Sequence, residues 1–163
     1  MIRSPCMEPA PHNPAGSPLP AVTEWVGYLG LAPFVLCLAG VSLLSDYGAR
    51  DLAQRIALAW GAVLLAFTGA VHWGLALAGR LPWEPARSFA LLPALLGGVA
   101  VVLGGQRGLA VLVVGFGGWW LYEHRALQAL LPAAYLNLRR PLTLATCILL
   151  ALTMFASDAG GLN

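Results

Sequence analysis

An all-α integral membrane bundle of five transmembrane helices is the fold that this sequence predicts, and three observations predict it. Hydrophobic residues make up 59% of the 163 positions and charged residues only 10%, against about 25% charged in ordinary soluble domains. The apolar residues fall into five long runs instead of the scattered positions of a soluble core. Polar and turn-forming residues collect between those runs, as a backbone leaving hydrocarbon requires.

Residues 1–22 carry six prolines, Pro5, Pro9, Pro11, Pro14, Pro18 and Pro20, and few large apolar groups. Such a segment buries too little surface to offset its ordering entropy, so a disordered tail is expected. It lacks the apolar stretch and cleavage site of a signal peptide, and the first span is expected to act as an uncleaved anchor. A transmembrane domain over residues 23–158 follows. Its first span, about 25–45, has the roughly 20 residues needed to cross a ~30 Å hydrocarbon core, and Pro33 is expected to kink its first half or to mark a looser start. The second, about 52–78, is long enough to tilt.

The third and fourth spans, about 88–103 and 107–122, are short for single crossings and meet at the polar turn Gly104-Gly105-Gln106-Arg107. Neither has the interior polar groups of a cavity-lining hairpin, so both are read as crossing helices, not as a re-entrant pair. The fifth, about 141–157, is expected to start with Pro141 at the first helical position, where a missing N–H costs nothing.

If all five cross, the tail, the loop at 79–87 and the loop at 123–140 share one side with Arg3, Arg80, Arg87, Arg125, Arg139 and Arg140. The other side holds Arg50, Arg55 and Arg107. Six arginines against three put the N-terminus in the cytoplasm and the C-terminus in the periplasm of a bacterial inner membrane. Trp25, Tyr28, Trp83, Trp119, Trp120, Tyr122 and Tyr135 lie near span ends and are read as an aromatic belt.

A net charge of +2, with no basic run, excludes a nucleic-acid partner. The expected partners are the lipid bilayer and a membrane protein or a second copy of the chain. Cys6, Cys37 and Cys147 have no metal-ligand or disulfide spacing, and the latter two read as small packing residues. No cofactor, metal ligand or catalytic residue is predicted: the sequence has no HExxH, no GxSxG, no phosphate-binding glycine loop and no intramembrane pair of carboxylates.

The exception within the apolar runs is His72. Ionisable side chains at membrane depth are costly and usually face the bundle interior. On the second span Ala59, Ala62, Ala66, Gly69 and Ala70 form a small-residue stripe continued by Trp73, while Leu64, Phe67 and Val71 point towards lipid. Small stripes let membrane helices approach closely. His72 borders this stripe and should face a neighbouring helix. Its plainest role is a hydrogen bond to a backbone carbonyl or to Thr68; a proton or ligand role and metal or haem ligation are the alternatives. Arg80, Glu84, Arg87, Glu123, His124, Arg125, Arg139 and Arg140 are its polar neighbours on the cytoplasmic side, with Glu123 expected to pair with Arg139 or Arg140. The candidate polar cluster is therefore His72, Trp73, Glu123, Arg139 and Arg140.

Three blocks carry a family resemblance: Gly27-Tyr28-Leu-Gly-Leu-Ala-Pro33-Phe34, Gly69-Ala-Val-His72-Trp73-Gly74 and Tyr135-Leu-Asn-Leu-Arg139-Arg140-Pro-Leu-Thr143. In these, residues 25–157 resemble a domain-of-unknown-function family of small membrane proteins. That family includes mitochondrial transmembrane protein 69 of eukaryotes and many short proteobacterial inner-membrane proteins. The resemblance implies a five-helix membrane fold, an acidic residue after the fourth span at the place of Glu123, and a common design for His72, Trp73 and Arg139. It implies no reaction.

From the small-residue faces and the lack of catalytic groupings, the expected function is a non-enzymatic accessory or assembly factor for membrane proteins. The rival is binding or transport of a small anionic ligand, lipid headgroup or proton in a pocket around His72, Glu123 and Arg139. A membrane enzyme ranks third.

Overall fold

A computed structural model describes residues 21–79, 89–128 and 133–159. They form six helices: α1 (Ala21–Leu29), α2 (Ala32–Leu43), α3 (Tyr47–Leu77), α4 (Leu92–Leu103), α5 (Gly105–Tyr122) and α6 (Ala133–Ala159). The expected tail falls, up to residue 20, outside the described residues, as does the loop at 80–88 with Arg80, Trp83, Glu84 and Arg87.

Helices α1 and α2 are one apolar segment broken at Gly30–Leu31, just ahead of Pro33, which sits in the first turn of α2. The break is where a proline without an N–H was expected to interrupt the ladder. It frees the Gly30 carbonyl, which accepts a 2.9 Å hydrogen bond from the indole N–H of Trp60. Asp46 starts α3 by accepting from the Ala49 N–H at 2.8 Å, the usual side-chain cap for an orphan donor of a first turn. Arg50, one turn on, donates to the carbonyls of Val41 and Ala156 at 2.8 and 3.4 Å. This one guanidinium thus holds the C-terminal ends of α2 and α6 against the start of α3.

Two expectations about boundaries are corrected. The tight turn between the third- and fourth-span helices has Gly104 as its one non-helical residue, and α5 begins at Gly105 instead of residue 107. Gly104 has φ 62° and ψ −176°, a conformation essentially confined to glycine, and Gly105 follows with φ 49°, so two glycines reverse the chain. Pro141 does not open the last helix. It lies inside α6, which begins at Ala133, eight residues earlier. The reason is tertiary: Tyr135 and Leu136 pack against Ala76 and Arg139 is paired with Glu123. These contacts hold two turns that the proline would otherwise have left uncoiled.

The five segments alternate in direction. At one end the close of α3, the close of α5 and the start of α6 meet around Ala76, Tyr122, Tyr135 and Leu136. At the other, Arg50 binds α2 and α6, and Gln106 donates to Asp158 at 3.1 Å. Between them Phe34, Leu58, Leu65, Leu109, Leu112, Phe116 and Leu150 form the core, with Cys37 buried among them. Phe67, Val102, Val114, Leu144 and Phe155 are exposed on the outside. Among the described residues three helical stretches are long and apolar enough to span a membrane: Glu24–Leu43, Tyr47–Leu77 and Ala134–Ala159. α4 is shorter, about 18 Å at 1.5 Å per residue.

The buried side of α3 also differs from expectation. It runs through Ala57, Leu58, Gly61, Leu65, Thr68, Gly69, His72 and Ala76, one residue round from the predicted stripe, with Ala59 and Ala70 exposed. The stripe is instead the flank on which α4 rests: a Cβ on Gly97 would lie 2.9 Å from the Ala62 carbonyl, and the Ala90 carbonyl sits directly over Gly69. α3 therefore has two contact faces, and the bulkier one, towards α2 and α5, carries His72 near its C-terminal end. Phe67 points outward as expected, whereas Leu64 and Val71 are partly buried.

Candidate functional site

His72 on α3, Glu123 after α5 and Arg139 on α6 come together at one end of the bundle. His72 is 1% exposed and Glu123 0%. Arg139 Nε donates to Glu123 Oε2 at 3.0 Å, and the hydroxyl of Tyr135 donates to Oε1 at a long 3.5 Å. The neighbour Arg140 is exposed, so the choice between the two arginines falls on Arg139. Helical spacing explains it: Tyr135 and Arg139 are one turn apart and share a face, which Arg140 leaves.

Glu123 opens a single π-helical turn, Glu123–Leu127, that continues α5. Such wide turns are rare and recur at functional sites. Burying a carboxylate costs several kcal/mol unless it is paired and hydrogen-bonded. Here the cost is met by a charge-assisted bond from Arg139 and by the Tyr135 hydroxyl.

The His72 ring is fixed on both sides. Its Nδ1 is 2.9 Å from the backbone oxygen of Thr68, the carbonyl bond expected of it. A carbonyl only accepts, so Nδ1 carries a hydrogen. Trp119 packs edge-on against the ring, centroids 5.2 Å apart and planes at 87°. Nε2 lies 3.3 Å from Glu123 Oε1, near enough for charge attraction but off the line of a hydrogen bond, and so without a bonded partner. With Nδ1 bound to the Thr68 carbonyl, Nε2 is the ring atom that faces the Glu123 carboxyl group.

Trp73 is not brought to this group. It is 44% exposed and borders an apolar groove of about 250 Å³ between α3 and α4. Trp119, read from sequence as part of an interfacial belt, is buried at 5% exposure against His72. Tyr135, assigned to the same belt, is a ligand of Glu123. The signal that could have found them is spacing: Trp119 stands four residues before Glu123, and Tyr135 four before Arg139, so each shares a face with an ion of the cluster. Trp120, by contrast, stacks on His124 with centroids 5.6 Å apart. Among the described residues, no three His, Cys, Asp or Glu side chains gather at metal-binding distance.

No curated protein and no solved structure matches the chain. A family model does match, over residues 19–155, which takes in α1 to α5 and most of α6 together with every member of the cluster. The chain belongs to DUF3429, a family of proteins of unknown function.

Proposed function

We propose that this chain is a five-crossing membrane protein whose His72–Glu123–Arg139 cluster is a binding centre for a small solute. The observation that carries this is the convergence of three ionisable side chains from three separate segments, with His72 and Glu123 fully buried and Arg139 partly so. Ion pairs whose only task is to hold helix ends need no such depth, and surface pairs contribute little. Ionisable groups inside a membrane bundle mark solute and proton pathways. The accessory or assembly role draws on small-residue contacts, and two of these are occupied within the chain, Gly69 by Ala90 and Gly97 by Ala62.

In this reading the protein lies in a bacterial inner membrane with the cluster near the cytoplasmic face and the C-terminus on the far side. The arginine asymmetry supports that orientation. The likeness to mitochondrial transmembrane protein 69 belongs to the same proposal and rests on the three sequence blocks around Tyr28, His72 and Arg139. A reporter fused after Asn163 that is active only outside the cytoplasm is expected to be active, and an inactive reporter would reverse the orientation.

The binding reading is tested by purification in mild detergent followed by native mass spectrometry of protein and lipid. The wild-type chain is expected alone, or with copies of itself, carrying a bound solute or lipid that His72→Leu loses while still folding. Recovery in a fixed ratio with another membrane protein, unchanged in His72→Leu, would overturn it in favour of an assembly factor.

A further inference from the structure

Gln54 stands in the first half of α3, at the end of the bundle away from His72. It is 3% exposed, and its Nε2 has no hydrogen-bond partner. A buried amide costs free energy unless something accepts from it. Gln54 lines a cavity of about 450 Å³ together with Asp51, Arg55, Val101, Gly104 and Gly105, where α3 meets the turn between α4 and α5. A second cavity, of about 340 Å³, shares the two glycines and is lined on its other side by Leu103 and Arg107.

The turn supplies donors to both cavities. α5 is an 18-residue helix, and its cap, Gly104, has no side chain with which to accept. Gly108 is the first residue to bond back, to the Gly104 carbonyl at 2.8 Å. The N–H groups of Gly105, Gln106 and Arg107 therefore lack an acceptor within the helix. A Cβ on Gly104 or Gly105 would meet nothing within 4 Å, so the approach to these groups is open.

Charge at this end favours an anion. Arg55 Nε lies 2.8 Å from Asp51 Oδ2, and that pair cancels. Arg107 is exposed and, among the described residues, has no ion-pair partner. Orphan N–H groups at a helix start, an unpartnered amide and an uncompensated guanidinium are together suited to an anion with several acceptor oxygens. Val101 and Leu103, both about half exposed, give the site an apolar border on α4.

We propose that the α4–α5 turn is a binding site for a phosphate group, accepting from the first-turn N–H groups of α5 and from Gln54 Nε2, with Arg107 supplying charge from the adjoining cavity. The apolar border makes a phospholipid the favoured source of that group, its acyl chain lying along Val101 and Leu103. The site is separate from the His72 cluster and does not rest on it: a lipid held here survives His72→Leu.

The test uses the full chain in maltoside micelles, titrated with dioleoylphosphatidylglycerol, with dioleoylglycerol, which lacks the phosphate, and with inorganic phosphate at matched ionic strength. The backbone 15N–1H signals of Gly105, Gln106 and Arg107 are followed, with the Trp119 indole signal as a control at the other end. Phosphatidylglycerol should move the three backbone signals saturably and leave Trp119 in place. Gln54→Leu should weaken its affinity about fivefold, the net worth of one hydrogen bond, and Arg107→Gln about tenfold or more. Gln54→Leu exchanges an unpartnered buried amide for an apolar group of similar size, so folding is retained. Asp51→Asn should tighten binding, whereas a cationic ligand would be weakened by it. An equal response to dioleoylglycerol would overturn the site, leaving an apolar surface only. So would unchanged affinity in both Gln54→Leu and Arg107→Gln, or weaker binding in Asp51→Asn. Inorganic phosphate binding as tightly as the lipid, with the same dependence on the variants, would keep the phosphate site and identify the free ion as its ligand.

Discussion

Glu123→Gln is expected to cost about 3–5 kcal/mol of stability, the range for removing one partner of a buried ion pair. The carboxylate is fully buried and accepts from Arg139 at 3.0 Å. Neutralising it leaves a guanidinium that cannot shed its proton beside an imidazole ring, in a region with little water. A drop in the melting midpoint on the order of 10 °C in mild detergent follows from that figure. Two comparisons isolate the cause. Arg139→Gln on top of Glu123→Gln should recover part of the loss, because the stranded charge is gone. His72→Leu should cost less than Glu123→Gln, since it leaves the Glu123–Arg139 pair intact. If Glu123→Gln melts within about 2 °C of wild type, the pair is not the buried contact described.

That His72 would be buried, bonded to a carbonyl and close to Glu123 and Arg139 was legible in the sequence. The reason is physical: one ionisable group in a long apolar run has few tolerable surroundings, and the charged residues at the ends of neighbouring runs are the nearest of them. The break before Pro33 was legible because a proline removes a specific hydrogen bond wherever it stands. Pro141 obeyed the same rule and misled. Its lost bond is outweighed by contacts of Tyr135, Leu136 and Arg139 with α3 and α5, which are a property of the assembled bundle and not of the local chain.

Trp119 was misread for a related reason. A tryptophan near the end of a span sits at interfacial depth whichever way it points, and depth alone reads as an aromatic belt. Its direction depends on the rotation of α5 about its own axis. The π-helical turn that carries Glu123 follows directly, and no residue pattern announces such a turn. On α3 the small-residue stripe marked a real and extensive contact, with α4, but the contact with α2 and α5 uses larger residues on the neighbouring face. A stripe of alanines shows where a helix can be approached most closely, and the most buried face lies elsewhere on α3.

The close approach of α4 to α3 sets up a pair of substitutions that should move stability in opposite directions. Gly98 lies inside α4, and a Cβ there would meet nothing within 4 Å. Gly98→Ala should therefore stabilise by about 1 kcal/mol through the lower backbone entropy of alanine in a helix. Gly69 lies inside α3, where the same propensity gain is available. Its Cβ, however, would run into the Ala90 carbonyl, with Ala90 C at 3.2 Å and Pro93 Cδ at 3.3 Å behind it. Two of those three atoms are backbone, so relief requires moving the start of α4 instead of turning a side chain. Overpacking of this kind costs about 1–3 kcal/mol, which outweighs the gain. Gly69→Ala should then lower the melting midpoint while Gly98→Ala raises it. Gly69 is also three residues from His72 on the same helix, nearly one turn. A displaced α4 should therefore let α3 shift against α5, and the Trp119 indole signal should change in Gly69→Ala and stay put in Gly98→Ala. Shifts of the same sign in both variants would show that α3 and α4 do not pack this closely, and the expected link between their contact and the ion cluster would fall with it.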